Sequence, residues 1–132
     1  MVARNGNQVR RVLYSGITIT GPNRVENQDA IVADGRIGLK SWSQLGGGIA
    51  IGDGVCLAVV DGMGGYEGGA EAASLAACSI ARITVEDCAD LDAFFSFLSQ
   101  QIGYAGGAWF MPNMGAAVAM IFVKQHSVVA HH

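Results

Sequence analysis

The amino-acid sequence predicts a single domain of the α+β class, and three observations point to it. The chain has 132 residues, which is the size of one domain. Hydrophobic residues make up 51% of it and charged residues only 14%, so a buried core is expected and disorder is not. Segments with strand patterns flank two consecutive helical patterns in the order β-β-β-α-α-β-β, whereas an α/β fold would alternate the two types.

The first two strands are predicted from side-chain type. Residues 1–11 are polar and are expected to be frayed, which leaves residues 12–132 as the domain. Residues 12–20 are rich in β-branched and aromatic side chains, which favours a strand that ends at the glycine and proline that follow. A polar stretch over residues 24–29 then leads into a short apolar strand at residues 30–33.

The next segment combines a glycine-rich region with a strongly apolar one. The glycines of residues 34–54 predict turns and a loop, with one ragged strand at residues 49–51. Residues 55–60 are an unbroken apolar run, which is typical of a strand buried on both faces. Asp61 is then expected at the exit of that strand, in a glycine loop that extends to Gly69.

Two helices and two final strands complete the prediction. Alanine, leucine and isoleucine recur with helical spacing over residues 70–83, and the many alanines predict close packing against a helix or a sheet. Residues 90–104 place five apolar side chains on one helix face, and Asp90 is a suitable N-cap. Residues 103–113 are expected to be a loop. The last two strands are predicted at residues 114–123 and 128–131.

Charge, hydropathy and motif spacing argue against several classes of function. The net charge is −3, and the largest basic cluster is Arg10-Arg11, so no nucleic-acid partner is expected. The longest apolar run, residues 116–123, is too short for a membrane segment. The glycines after Asp61 fit neither a G-x-G-x-x-G nor a Walker pattern. Three cysteines without a C-x-x-C pair predict reduced thiols in a cytoplasmic protein.

Three polar features are the candidates for chemistry. The first lies at the junction of the first two strands and contains Arg24, Asn27, Gln28 and Asp29. The second is Asp61 in its glycine loop, and the third is the pair Glu67 and Glu71 at the start of the first helix. A carboxylate at the end of a hydrophobic strand offers the hard oxygen ligand that a divalent cation needs, and the glycine after it lets a backbone carbonyl turn toward the same ion. The structural alternatives are that both aspartates stabilise turns and that Arg24 is a surface cation.

Three motifs in order carry a resemblance to a known family. Residues 24–29 read Arg-Val-Glu-Asn-Gln-Asp, residues 59–65 read Val-Val-Asp-Gly-Met-Gly-Gly before a helix, and Met114-Gly115 opens a later strand. Together they resemble the R-x-x-N-[EQ]-D, V-x-D-G-M-G-G and M-G-T-T elements of the PPM-type metal-dependent protein phosphatases, the protein phosphatase 2C family, especially its bacterial members. The resemblance implies a β-sandwich flanked by antiparallel helices, present here as an incomplete half: strands, two helices and a closing β-hairpin.

The resemblance also implies an activity and a site. The activity would be hydrolysis of phosphoserine or phosphothreonine in a phosphoprotein substrate by a metal-activated water, without a phosphoenzyme. Asp61 would bridge two Mn²⁺ or Mg²⁺ ions, and Gly62 would add its backbone carbonyl. Gln28 stands where many members have a glutamate that contacts one metal, and Asp29 would be an acceptor in the outer shell of the metals. Arg24 would bind the substrate phosphate.

Departures from the family pattern shape the remaining expectations. The family completes its metal site with aspartates that follow a Gly-Asp-Ser-Arg segment, whereas the last acidic residue here is Asp92. The sequence is therefore expected to be a fragment, the N-terminal half of the family's domain, inactive or nearly so by itself and prone to self-association through exposed sheet edges. The alternatives are a natural half-domain that acts as a dimeric or partner-binding regulatory module, and an unrelated α+β domain with a structural Asp-Gly loop.

Overall fold

The structure, a computed structural model, describes residues 10–64, 68–84 and 86–132. It confirms the α+β class, with two α-helices and two antiparallel sheets in the described residues. The strands are β1 Arg11–Thr18, β2 Asp29–Ala33, β3 Arg36–Gly38, β4 Ser43–Ala50, β5 Val55–Met63, β6 Gly115–Val123 and β7 Val128–His131. The helices are α1 Gly69–Ile80 and α2 Leu91–Ala108, and a turn of 3₁₀ helix, Asp87–Ala89, precedes α2. None of the helices in the described ranges could span a membrane.

The larger sheet has five strands in the order β3-β2-β5-β6-β7, and β5 is its central strand. The apolar, β-branched sequence of β5 fits this position because a central strand is covered by neighbours on both edges. β1 and β4 form a separate two-stranded sheet, in which Arg11 pairs with Ala50 and Thr18 with Ser43. β5 carries most of the second motif, and the strands at which the other two motifs lie, β2 and β6, are both hydrogen-bonded to it.

The main core lies between one face of the large sheet and the two helices. The alanine stripe of α1 packs directly on β5 and β2, and Ala72, Ala73, Ala76, Ala77 and Ile80 are at most 1% exposed. Small side chains allow this close approach, as the alanine content predicts. Leu98 and Ile102 of α2 and Val60 and Phe122 of the sheet complete the same core.

The opposite face of the large sheet is only partly covered. Leu45 of β4 packs there against Ile31 and Ala33 of β2, in a second and smaller core. Farther along the same sheet, Val59 is 57% exposed and Ile121 is 38% exposed. Among the described residues this face thus combines a small buried cluster with an open apolar surface.

Residues 34–54 differ from the prediction because they contain two strands, β3 and the eight-residue β4, instead of one ragged strand. The three glycines of β4 at positions 46–48 pair with residues 13–15 of β1. Sheet pairing needs only backbone hydrogen bonds, which glycine supplies, so the local propensity of glycine for turns is overridden here.

β5 also departs from the prediction. It extends to Met63, so Asp61 lies within a strand and not in a loop after it. Pairing with β6 continues past Asp61, because the backbone of β6 offers partners as far as Gly115. The strand is also not buried on both faces, since from Val59 onward its exposed and buried residues alternate. The smaller sheet leaves this end of the face uncovered.

The helix ends shift by a few residues, while the N-cap of α2 is confirmed. α1 ends at Ile80, three residues earlier than predicted, and α2 continues to Ala108 through part of the predicted loop. Gly106 stays helical because residues after α2 pack against it: a Cβ there would lie 2.7 Å from the Met111 carbonyl oxygen. Asp90 caps α2 by accepting a hydrogen bond from the Ala93 backbone N–H at 2.9 Å.

Candidate metal and phosphate site

Asp29 and Asp61 face each other across the β2–β5 ladder. They are register partners, so their side chains project from the same face of the sheet. The two carboxyl groups are within hydrogen-bonding reach of each other. Like charges placed directly opposite each other are unfavourable in a sheet, so a cation bound beside this pair would be attracted by both carboxylates.

The pKa of Asp29 is raised, in part by this repulsion. Partial burial raises the pKa of Asp29, and the negative charge of Asp61 and the hydrogen bond to it raise it further. The positive charge of Arg24 acts in the opposite direction but does not cancel these effects. A divalent cation next to the two carboxylates would relieve the same repulsion.

Gly62 brings two other segments against the end of β5. Its backbone N–H donates to the Gln28 carbonyl oxygen at 3.0 Å. A Cβ at position 62 would overlap the Gly69 carbonyl oxygen and would lie 2.5 Å from the Gln28 carbonyl oxygen. Glycine is therefore required here by close backbone approach, which places the first residue of α1 and the start of β2 next to Asp61.

Two oxygen atoms lie close to Gly69. A Cβ on Gly69 would lie 2.8 Å from the Gln28 side-chain oxygen Oε1 and 3.2 Å from the Gly62 carbonyl oxygen. The Gln28 amide nitrogen donates to Glu26 at 3.0 Å, which leaves Oε1 on the side of Gly69. Glycine at position 69 thus allows the Gln28 side chain and the Gly62 carbonyl group to approach the start of α1 closely.

Arg24 follows a turn in which its own N–H donates to the Gly21 carbonyl oxygen at 3.0 Å. Its side chain is exposed. Because its charge influences Asp29, the guanidinium lies near the carboxylates while it remains open to solvent. This is a suitable position for binding an anion that also contacts a cation held by the carboxylates.

The five residues that the family resemblance assigned to a site line one cavity of about 340 Å³. The lining set comprises Ile19, Gly21, Arg24, Glu26, Asn27, Gln28, Asp29, Asp61 and Gly62. The third motif lies alongside, because Gly115, Ala116 and Ala117 of β6 pair with Met63, Gly62 and Asp61 of β5. Part of the second motif, residues 65–67, lies outside the described residues.

Glu26 is a residue of this cavity that the sequence interpretation did not include among the site residues. It carries a third carboxylate at the cavity wall and contacts Gln28. Its position within the polar run of residues 24–29, two residues before Gln28, was the available signal. Without the turn geometry, that signal did not distinguish Glu26 from an ordinary exposed glutamate.

The donor atoms fit a hard divalent cation in type, though the carboxylates are few. Carboxylate, amide and backbone carbonyl oxygens are the ligands that Mg²⁺ and Mn²⁺ prefer. Within the described ranges, however, no three His, Cys, Asp or Glu side chains form a group that could hold a metal. Asp61, Gly62 and Gln28 could therefore hold such an ion only together with further oxygen ligands.

The cysteines do not contribute to this cavity, and one of them has an unreactive environment. All three are free. Burial, together with the nearby Cys88 and Asp34, raises the pKa of Cys56 to about 12. Because the thiolate is the nucleophile, Cys56 is inert at neutral pH, as its place in the apolar strand predicts.

No family model, curated protein or solved structure matches the chain. The chemistry of the cavity therefore has to be inferred from its own donor atoms and charges, together with the motif resemblance.

Replacing Asp29 with asparagine is expected to raise the melting temperature by about 1–2 °C at pH 7 and to leave it unchanged near pH 3. In the folded chain the pKa of Asp29 is raised above its ordinary 3.8. Protonated Asp29 therefore contributes fully to stability below pH 3.8, and this contribution is lost as the pH rises through the folded-state pKa. Thermal unfolding across this pH range measures the difference. Asp53→Asn, in the exposed loop before β5, is the control; an Asp29→Asn gain that is equal at both pH values would contradict the prediction.

Proposed function

We propose that this chain carries the metal- and phosphate-binding end of a PPM-type phosphatase that hydrolyses phosphoserine and phosphothreonine in proteins. One observation supports this above all others: two segments about 30 residues apart in the chain line a single cavity, one with Arg24, Gln28 and Asp29 and the other with Asp61 and Gly62. The helices on one side of the five-stranded sheet and the small sheet on the other are compatible with the sandwich of that family.

Within this proposal the acidic wall of the cavity binds the metals. Asp61 supplies the central carboxylate, while Gly62 and Gln28 supply neutral oxygens on the side of α1. Mn²⁺ or Mg²⁺ ions, when bound, lower the pKa of water and neutralise charge on a phosphoryl group. Asp29, which lies opposite Asp61, would act as an acceptor in the outer shell of the metals.

Arg24 binds the phosphate of the substrate in this proposal. A guanidinium offers parallel N–H donors that match two oxygens of a phosphate, and its charge does not depend on pH in the physiological range. Its exposed position suits a phosphorylated side chain on a protein surface, because such a substrate can enter only from solvent. The carboxylates that line the same cavity repel anions, so Arg24 would bind a phosphate well only when a cation is also present.

Mn²⁺ binding and phosphopeptide hydrolysis by the wild-type chain and its Asp61→Asn variant test the proposal. Because the described residues supply few carboxylates, we expect the 132 residues to bind Mn²⁺ at about millimolar concentration and to hydrolyse a phosphothreonine peptide near the background rate. Binding that depends on Asp61 supports the proposal. Wild-type and Asp61→Asn chains that bind Mn²⁺ equally would overturn it.

A second candidate function is a non-catalytic binding or regulatory module, and the open sheet face favours it. Two largely apolar cavities of about 450 and 460 Å³ lie on this face. Val59 lines both of them, and Ile121 lines the 450 Å³ cavity next to β7, so the two cavities are adjacent on the exposed face. Exposed apolar surface of this kind is typical of interaction sites.

The purified chain is expected to self-associate through this face, and Val59→Lys is expected to shift it toward the monomer. A lysine on the open face adds a charge that contact with a second apolar surface would desolvate. Size-exclusion chromatography with light scattering measures the change. Phe97→Lys on the outer side of α2 is the matched control, since Phe97 is 59% exposed and Val59 57%. A monomeric wild-type chain would contradict both this prediction and the dimeric form of the second candidate.

A further inference from the structure

Asn27 is the centre of a hydrogen-bond network at the wall of the cavity. Its amide nitrogen Nδ2 lies 2.9 Å from Thr18 Oγ1, 2.9 Å from the Leu39 carbonyl oxygen and 3.2 Å from the Asp29 carbonyl oxygen. Its Oδ1 lies 3.3 Å from the Thr18 hydroxyl and 3.4 Å from the Asp29 backbone nitrogen, both of which donate to it. One side chain thus connects β1, β2 and the loop after β3.

This network holds the peptide groups on both sides of Asp29. Asp29 is the first residue of β2, where a strand would otherwise fray because pairing continues on one side only. The Asn27 amide contacts the N–H and the carbonyl oxygen of Asp29, so the residue stays in register with Asp61. The position of Asp29 opposite Asp61 is therefore supported by the neutral side chain of Asn27.

Thr18 anchors the network from the smaller sheet. Its side chain is polar but buried, with 5% of its surface exposed. A buried hydroxyl needs a hydrogen-bond partner, and Asn27 provides both a donor and an acceptor for it. The end of β1 is in this way coupled to the start of β2 through a single pair of side chains.

We propose that Asn27, anchored by Thr18, is a positioning residue that holds the Asp29 carboxylate against Asp61 and so sets the affinity of the cavity for a divalent cation. The second half of this statement rests on the proposed function, whereas the first half concerns the protein without metal. Hydrogen bonds that orient the groups around a metal usually change its affinity by about tenfold or more when they are removed.

The test compares Asn27→Ala with the wild-type chain by NMR without metal and by Mn²⁺ titration. In Asn27→Ala we expect the cross-strand nuclear Overhauser effects between residues 29 and 61 to weaken, and those between Ala33 and Leu57 at the far end of the same ladder to persist. The Mn²⁺ affinity, followed by the electron paramagnetic resonance of the free ion, is expected to fall about tenfold. Asn23→Ala, an exposed asparagine in the preceding turn, is the control.

The outcomes separate this inference from the proposed function. Unchanged contacts between residues 29 and 61 in Asn27→Ala would overturn the inference whether or not Mn²⁺ binds. Weakened contacts with an unchanged Mn²⁺ affinity would overturn the role of Asn27 in the site. If the contacts weaken but the wild-type chain binds no Mn²⁺, the hold of Asn27 on Asp29 is supported and the proposed function fails instead.

Loss of the Ala33–Leu57 contacts would show that Asn27→Ala does not fold. In that case a second pair of variants tests the inference. Thr18→Val keeps the shape of the side chain and removes its hydroxyl, while Thr18→Ser keeps the hydroxyl. We expect Thr18→Val to weaken the contacts between residues 29 and 61 and Thr18→Ser to retain them. Contacts that weaken no more in Thr18→Val than in Thr18→Ser would overturn the anchoring role of Thr18, because only Thr18→Ser keeps a hydroxyl that can bond to Asn27.

Discussion

The Asp61→Asn variant is expected to bind Mn²⁺ at least about tenfold more weakly than the wild-type chain. Asparagine preserves the shape of the side chain and one oxygen, but it removes the charge that a hard cation needs most. Asp61 is also the residue against which Asp29 is held, so the variant leaves one carboxylate of the facing pair. Titration of Mn²⁺ followed by electron paramagnetic resonance measures the affinity directly.

Asp53→Asn provides the matched control, because Asp53 is exposed and lies before the start of β5, whereas Asp61 lies near its end. It changes the net charge by the same amount and should leave Mn²⁺ binding unchanged. If both variants weaken binding equally, Mn²⁺ responds to overall charge and the cavity is not its site. If neither does, Asp61 is a structural residue of the strand, as the alternative interpretation of the sequence holds.

Replacing Gly62 with alanine is expected to lower the free energy of unfolding by about 3 kcal/mol. The added Cβ would overlap the Gly69 carbonyl oxygen and approach the Gln28 carbonyl oxygen, and both are backbone atoms that cannot rotate away. Either β5 or the start of α1 must move, which separates the elements that form the cavity. Urea unfolding monitored by circular dichroism measures the change.

Gly103→Ala is the control, and it should act in the opposite direction. Gly103 lies within α2, and nothing lies within 4 Å of the position that a Cβ would occupy there. Alanine is the better helix former, so this variant is expected to gain about 0.5–1 kcal/mol. A loss of stability for Gly62→Ala no larger than about 0.5 kcal/mol would mean that the backbone contacts at Gly62 relax easily, against the close packing described above.

The helices show how far sequence patterns alone can be used. The alanine stripe of α1 and the N-cap at Asp90 were predictable because helix burial and capping depend on residues three or four positions apart. The C-terminal extension of α2 was not, because it depends on Met111 closing over Gly106 from outside the helix. The helix ends were predicted correctly where they depend on neighbouring residues, and incorrectly where a loop packs back against the helix.

The strands of residues 34–54 show the opposite limit. A run of three glycines has no side-chain pattern from which a strand could be predicted, and β4 exists because β1 supplies its hydrogen-bond partners. The extension of β5 past Asp61 has the same origin, since β6 continues the ladder to Gly115. Sheet pairing between distant segments is invisible to a local pattern, and this is why both features were missed.

The sequence by itself determined the α+β class, the helical faces, and which polar residues were candidates for chemistry, because these follow from residue type and spacing. Only the tertiary structure decided that Arg24, Gln28, Asp29, Asp61 and Gly62 line one cavity, that Asp29 faces Asp61, and that the Asn27 side chain hydrogen-bonds to the Asp29 backbone and to Thr18. The physical reason is the register of β2 on β5. That register arises from contacts between segments about 30 residues apart, and a shift of one residue would place the two carboxylates on opposite faces of the sheet.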